Sequence, residues 1–105
     1  MIRRKVIYDA DANADFFNLF NWIARSASAR TAATFMARLE ARISRLDLAA
    51  ERGTARDDIE PGLRIVPIDE RVLVAIKVYD AEVVVLRVFY GGQDWEAVLR
   101  HEGGD

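Results

Sequence analysis

The chain has 105 residues, 51% hydrophobic and 30% charged, with 15 Lys and Arg against 17 Asp and Glu and no cysteine. That length suits one domain, since domains run to roughly 100–200 residues, and the composition is that of a globular chain rather than a disordered or fibrous one. The lack of cysteine excludes disulfides, thiolate nucleophiles, iron–sulfur clusters and cysteine-ligated zinc, and a net charge of −2 argues against a protein whose main work is to grip phosphate backbones.

The charge is uneven: residues 1–52 hold nine Lys/Arg and six Asp/Glu, residues 53–105 six and eleven. Any cationic surface is therefore local. The start, Met1-Ile2-Arg3-Arg4-Lys5, is basic, but Asp9 and Asp11 arrive before an apolar signal segment can form, so no leader is expected. No stretch approaches the ~20 apolar residues of a membrane span, and a cytoplasmic protein is expected.

In chain order, Arg3–Tyr8 has the length and β-branched content of a strand, and Asp9, Asp11 and Asn13 offer helix N-caps. Phe16, Leu19, Phe20 and Ile23 then recur at i, i+3, i+4 and i+7, one stripe of an amphipathic helix ending near Ser26-Ala27-Ser28, with Phe17 and Trp22 off the stripe. A second helix is predicted over residues 29–50, with Ala32, Phe35, Met36, Leu39, Ile43 and Leu46 on one side and Arg38, Arg42 and Arg45 on another. Residues 51–61 read as a polar loop. Three strands follow, Leu63–Ile68, Val72–Tyr79 and Glu82–Tyr90, joined by tight turns into an antiparallel meander. Pro67 has no N–H to give a ladder, which places its strand at a sheet edge. A helical turn over Asp94–Arg100 closes the domain, residues 1–100, and residues 101–105 are expected to fray.

The predicted fold class is α+β: N-terminal strand, helical hairpin and three-stranded meander in two layers. Strict alternation aims Val72, Val74, Ile76 and Val78, with Val84, Leu86, Val88 and Tyr90, at the helices. The other face would carry Leu73, Ala75, Lys77, Tyr79, Val83, Val85, Arg87 and Phe89, with Arg64 and Val66 alongside, and no predicted helix covers it. An open apolar face on a small protein marks an interface, and cations set in it seek carboxylates or phosphates. Arg64, Val66, Leu73, Lys77, Val85, Arg87 and Phe89 are thus the expected partner-binding residues.

Other candidates are weaker. Asp9, Asp11 and Asn13 open like a calcium loop, but Ala14 and Phe20 stand where its glycine and closing glutamate belong. Asp57 and Asp58 read as a solvated acidic loop, and the single histidine, His101, lies in the expected tail. The Arg38, Arg42, Arg45 stripe reads first as a solvated helix face. No metal or cofactor is expected.

The element order, Ala14-Asp15 opening the first helix, Ala32, Phe35 and Leu39 in the second, Pro61-Gly62-Leu63-Arg64, and Leu86-Arg87-Val88-Phe89-Tyr90 followed by Gly91-Gly92-Gln93-Asp94-Trp95 together resemble the ParE branch of the RelE/ParE toxin superfamily, over residues 4–99. The resemblance implies a toxin of a bacterial type II toxin–antitoxin pair, wrapped by the C-terminal segment of a DNA-binding, ParD-like antitoxin. It also implies, as the leading expectation, inhibition of DNA gyrase by protein binding. The alternatives are a RelE-like, ribosome-dependent mRNA endonuclease using Arg64, Lys77 and Arg87 with Tyr79 or Tyr90, and a degenerate toxin that only binds its antitoxin. Val66, Leu73 and Gln93 stand where RelE-like members carry further cations, and Tyr90 stands where ParE-like members commonly have histidine, which weighs against the nuclease.

Overall fold

The computed structural model describes residues 3–103. Strand β1 (Lys5–Tyr8) leads into helices α1 (Ala10–Ser26) and α2 (Ala29–Ser44), a 3₁₀ turn (Arg45–Asp47), strands β2 (Thr54–Ala55), β3 (Leu63–Asp69), β4 (Val72–Val78) and β5 (Glu82–Tyr90), and helix α3 (Trp95–Gly103). The five strands are ordered β1-β5-β4-β3-β2, with β1 parallel to β5 and the other pairs antiparallel. No described helix is long and apolar enough to cross a membrane.

Local chemistry sets the helix starts. Asp9 caps α1, its side chain accepting from the Asp11 N–H, and Ser28 caps α2 by accepting from the Thr31 N–H at 3.0 Å. The acidic run at Asp9 is thus a cap. Regular helix ends at Ser44, six residues before the predicted limit, because the chain tightens into the 3₁₀ turn while Leu46 and Ala50 stay buried. The apolar period survives the change of winding, so periodicity alone could not mark the end.

β2 was not expected. It pairs Thr54 with Ile65 and Ala55 with Arg64, so β3 is not the outermost strand, although Pro67 lies beyond that short pairing on an open stretch of its edge. Gly53, with φ +79, precedes β2 where a Cβ would lie 2.2 Å from the Ile65 carbonyl oxygen; only glycine fits there.

The hairpin packs on one face of the sheet, over a core that includes Leu19, Leu39, Ile43, Val66, Val74, Ile76, Val83, Val85 and Val88. Alternation holds along β4 and fails along β5. Ala75 pairs with Arg87 but Ile76 pairs with Val85, so Leu86 is an extra residue in a bulge. Before it, Val83 and Val85 face the hairpin; after it, Val88 and Tyr90 do. The expectation that Val84 and Leu86 face the helices is corrected, as is that of Val83 and Val85 on the open face.

That second face is also not bare. α3 runs through His101 and Glu102 to Gly103, and it lays Trp95, Val98 and Leu99 over Leu63, Ile65, Leu73, Ala75, Leu86 and Phe89. Residues 101–103 belong to this helix rather than to a frayed tail; Gly104 and Asp105 lie outside the described residues.

Candidate functional site

The seven expected partner-binding residues do not share one surface. Val66 and Val85 are 5% and 0% exposed in the hairpin-side core. Arg64, across from Ile76, belongs to that side too; its guanidinium donates to the carbonyls of Arg52 at 3.0 Å, Glu51 at 2.8 Å and Gly53 at 3.3 Å. It therefore ties the turn before β2 onto β3. Leu73, Lys77, Arg87 and Phe89 do lie on the α3 face, where Lys77 pairs with Glu60.

Arg87 is the most heavily committed of the cations. β1 pairs with β5 only over residues 82–85, so the Val88 N–H beyond has no strand partner, and Asp15 of α1 fills the gap. One Asp15 oxygen accepts from Val88 N at 2.8 Å and Arg87 Nε at 2.7 Å; the other accepts from Arg87 Nη2 at 3.0 Å. Arg87 also pairs with Glu102 of α3 and lies 5.3 Å from the Phe89 ring centroid. Asp15, 9% exposed, is the one buried charged residue among those described, and its bonds to Arg87 raise the guanidinium's pKa. The pair joins α1, β5 and α3 at the sheet edge. Sequence reading placed Asp15 only as a helix opener; its one signal was a carboxylate beside the apolar positions of α1.

α3 is held by a second set of charges. Arg56 forks onto Asp58 through two 2.9 Å bonds and reaches Glu96 at 2.5 Å, while Arg100 bonds Asp58 at 2.8 Å and Glu96 at 3.1 Å. The Arg56 guanidinium holds the Asp58 carboxyl well below its usual range, with Arg100 adding to it, and both arginines lower Glu96. Asp57, by contrast, accepts from the Gly62 N–H at 2.8 Å, so the adjacent carboxylates do structural work. His101 is exposed on α3.

The two candidate tyrosines are at opposite ends of the β4–β5 hairpin. Tyr79 is 52% exposed beside the turn, whereas Tyr90 packs on Trp22 with ring centroids 5.5 Å apart. No three described His, Asp or Glu side chains converge into a metal-holding group. Beside α3, an open recess of about 300 Å³ is lined by Leu73, Phe89, Tyr90, Gln93 and Trp95, with Asp69 and Glu70 on its rim.

Comparison with known proteins places this architecture. Residues 6–95 match the family described as ParE toxin of type II toxin-antitoxin system, parDE. The chain belongs to that family. Among solved structures it is similar to a chain of the chromosomal ParDE toxin–antitoxin system from P. aeruginosa, with a TM-score of 0.73 and 17% identity over 84% of this chain and 96% of that one. It is also similar to a chain of the toxin–antitoxin complex RelBE2 from Mycobacterium tuberculosis, with a TM-score of 0.60 and 18% identity over 89% of this chain and 97% of that one. These two likenesses concern the fold. A search of curated proteins finds no match.

Proposed function

We propose that this type II toxin acts in the cytoplasm by binding DNA gyrase, with no chemistry of its own, and that a ParD-like, DNA-binding antitoxin neutralises it. The supporting observation is the commitment of its candidate catalytic cations. Phosphodiester cleavage needs a proton acceptor and donors preorganised on the developing charge, each commonly worth ~3–4 kcal/mol. Here Arg87 is bound by Asp15 and Glu102, Lys77 by Glu60, and Arg64 by three carbonyls on the other face. Of the seven partner-binding candidates, Leu73 and Phe89 line the recess beside Trp95 and suit a partner's apolar side chain.

The test is induced expression with mapping of mRNA 5′ ends, alongside a supercoiling assay with purified protein and gyrase. Intact messages and blocked supercoiling are expected. Cleavage within codons at the ribosomal A site would overturn the reading in favour of a nuclease, and active gyrase with intact messages would leave a chain that only binds its antitoxin.

A further inference from the structure

The excess of basic residues in the first half of the chain comes to one place. Arg42 from the last turn of α2, Arg45 at its C-cap and Arg52 from the turn before β2 surround an open recess of about 400 Å³, floored by Leu46, Val66 and Pro67. Two of the three are held by the fold. Arg42 donates to the Ile68 carbonyl at 3.2 Å and pairs with Asp69 at 2.9 Å. Arg52 precedes Gly53, whose close approach to the Ile65 carbonyl leaves no room for a side chain, and the Arg52 and Glu51 carbonyls are tied at 3.0 and 2.8 Å to the Arg64 guanidinium. The turn that carries Arg52 is thus fixed on β3.

The charges here are unbalanced. Asp69 offsets Arg42 alone; Arg45 and Arg52 have no ion pair among the described residues, in a chain whose net charge is −2. Arginine at 42 and 45 also complements the C-terminal carbonyls of α2, but Arg52 lies outside that helix, and like charges around one recess repel unless an anion sits between them. We propose that this recess binds the phosphodiester backbone of duplex DNA, so that the toxin touches the DNA that gyrase holds. The choice of DNA as the source of phosphate rests on the gyrase reading; the choice of phosphate rests on the arginines.

Two features favour a duplex backbone. No aromatic side chain lines the recess, so it offers nothing on which unpaired bases stack, the usual means of holding a single strand. The arginine row also continues up α2 to Arg38, which lies over the Phe35 ring. From Arg38 to Arg45 the helix rises ~10 Å, close to the ~10 Å over which one DNA strand advances by three phosphates. Three or four such contacts without a base-reading element make a weak hold that ignores sequence, which a chain of net negative charge can support.

The test follows, by fluorescence anisotropy, the binding of the full chain to a short labelled DNA duplex while salt is raised fourfold from ~25 mM. With Arg42, Arg45 and Arg52 on one phosphate each, affinity should fall ~40-fold over that range, from a slope of about −0.9 per contact. Arg45→Gln/Arg52→Gln, with native circular dichroism, should bind more weakly and lose only ~3- to 4-fold, as one contact predicts. Arg45→Lys/Arg52→Lys should restore the steep dependence, and Arg25→Gln, at an exposed cation of α1, should keep the wild-type slope. No duplex binding at the lowest salt, a slope that the double Gln variant leaves unchanged, or equal damage from Arg25→Gln would overturn the proposal. So would displacement by micromolar inorganic phosphate, which marks a small-anion site, or tighter binding of single-stranded DNA or of an RNA duplex. These measurements contain no gyrase, so the two readings fail separately: duplex binding with uninhibited supercoiling sinks only the target, and blocked supercoiling by a chain that binds no duplex sinks only the phosphate site.

Discussion

On the hairpin side of the sheet, α1 and α2 close over a continuous apolar layer in which Leu39, Ile43, Val74, Ile76, Val83 and Val85 are all 0% exposed. On the other side, α3 brings only Leu99 to burial, at 6%, packs Trp95 and Val98 partly buried against the sheet, and is moored as well by the Arg56, Asp58, Glu96, Arg100 cluster and by Glu102 on Arg87. The first face is held by area removed from water, roughly 25 cal/mol per Å² of apolar surface and not screened by salt. The second leans on exposed ion pairs, whose usual worth is ~0–1 kcal/mol each and which salt screens. One sheet thus carries a global core on one side and, on the other, a helix expected to loosen before the rest.

The most severe test of that contrast is where the two faces meet. Asp15→Ala leaves Arg87 and the Val88 N–H without their buried acceptor, and breaking such a pair costs about 3–5 kcal/mol, a large part of the ~5–15 kcal/mol that holds a domain together. Urea titration should show it. Arg87→Glu, which sets a carboxylate against Asp15 and Glu102, should do at least as much damage, so the variant tests the fold before it tests any partner. If Asp15→Ala unfolds at the wild-type urea midpoint, the edge is not the joint described.

Next come paired truncations. Leu39→Ala opens a cavity under the hairpin and should lower global stability by ~2–5 kcal/mol. Leu99→Ala should lower it by ~1 kcal/mol or less, while speeding hydrogen exchange in α3 alone, as expected of a locally opening unit. Equal losses of global stability from the two would break the comparison, because they would make α3 part of the cooperative core.

The same contrast explains what was legible in the sequence. The hairpin face was readable because its residues follow fixed periods: Leu39 and Ile43 at helical spacing, Val72, Val74 and Ile76 at strand spacing. The α3 face was not, for three local reasons. The bulge at Leu86 adds one residue and reverses the alternation that put Val85 outside. Residues 95–102 are too short a run for their stripe of Trp95, Val98 and Leu99 to stand out from a turn. The partners of Arg87, Lys77 and Arg56 lie 72, 17 and 40 residues away, at Asp15, Glu60 and Glu96, beyond any local pattern. Residue types marked Arg87 and Lys77, though not Arg56; they could not tell that these cations already had carboxylates.

The smallest expected effect is one of pH. Asp58 and Glu96 are held below their ordinary values by Arg56 and Arg100, so they bind fewer protons folded than unfolded. Their contribution is fully present above the unfolded carboxylate range near ~4 and is lost as pH falls below it through the depressed folded values. Between pH 5 and 8 the mooring of α3 should therefore be flat, and below about pH 4 it should loosen before the hairpin core unfolds. Trp95, which lies 5.3 Å from the Arg56 guanidinium, reports this directly in a Trp22→Phe background, where its emission should shift on acidification ahead of the far-ultraviolet circular dichroism. At neutral pH, 1 M salt shortens the Debye length to ~3 Å and should move Trp95 in the same direction, and Glu96→Gln should blunt both responses. A Trp95 signal that titrates between pH 6 and 8, or that changes only together with global unfolding, would show that apolar contact, rather than the ion cluster, holds α3 to the sheet.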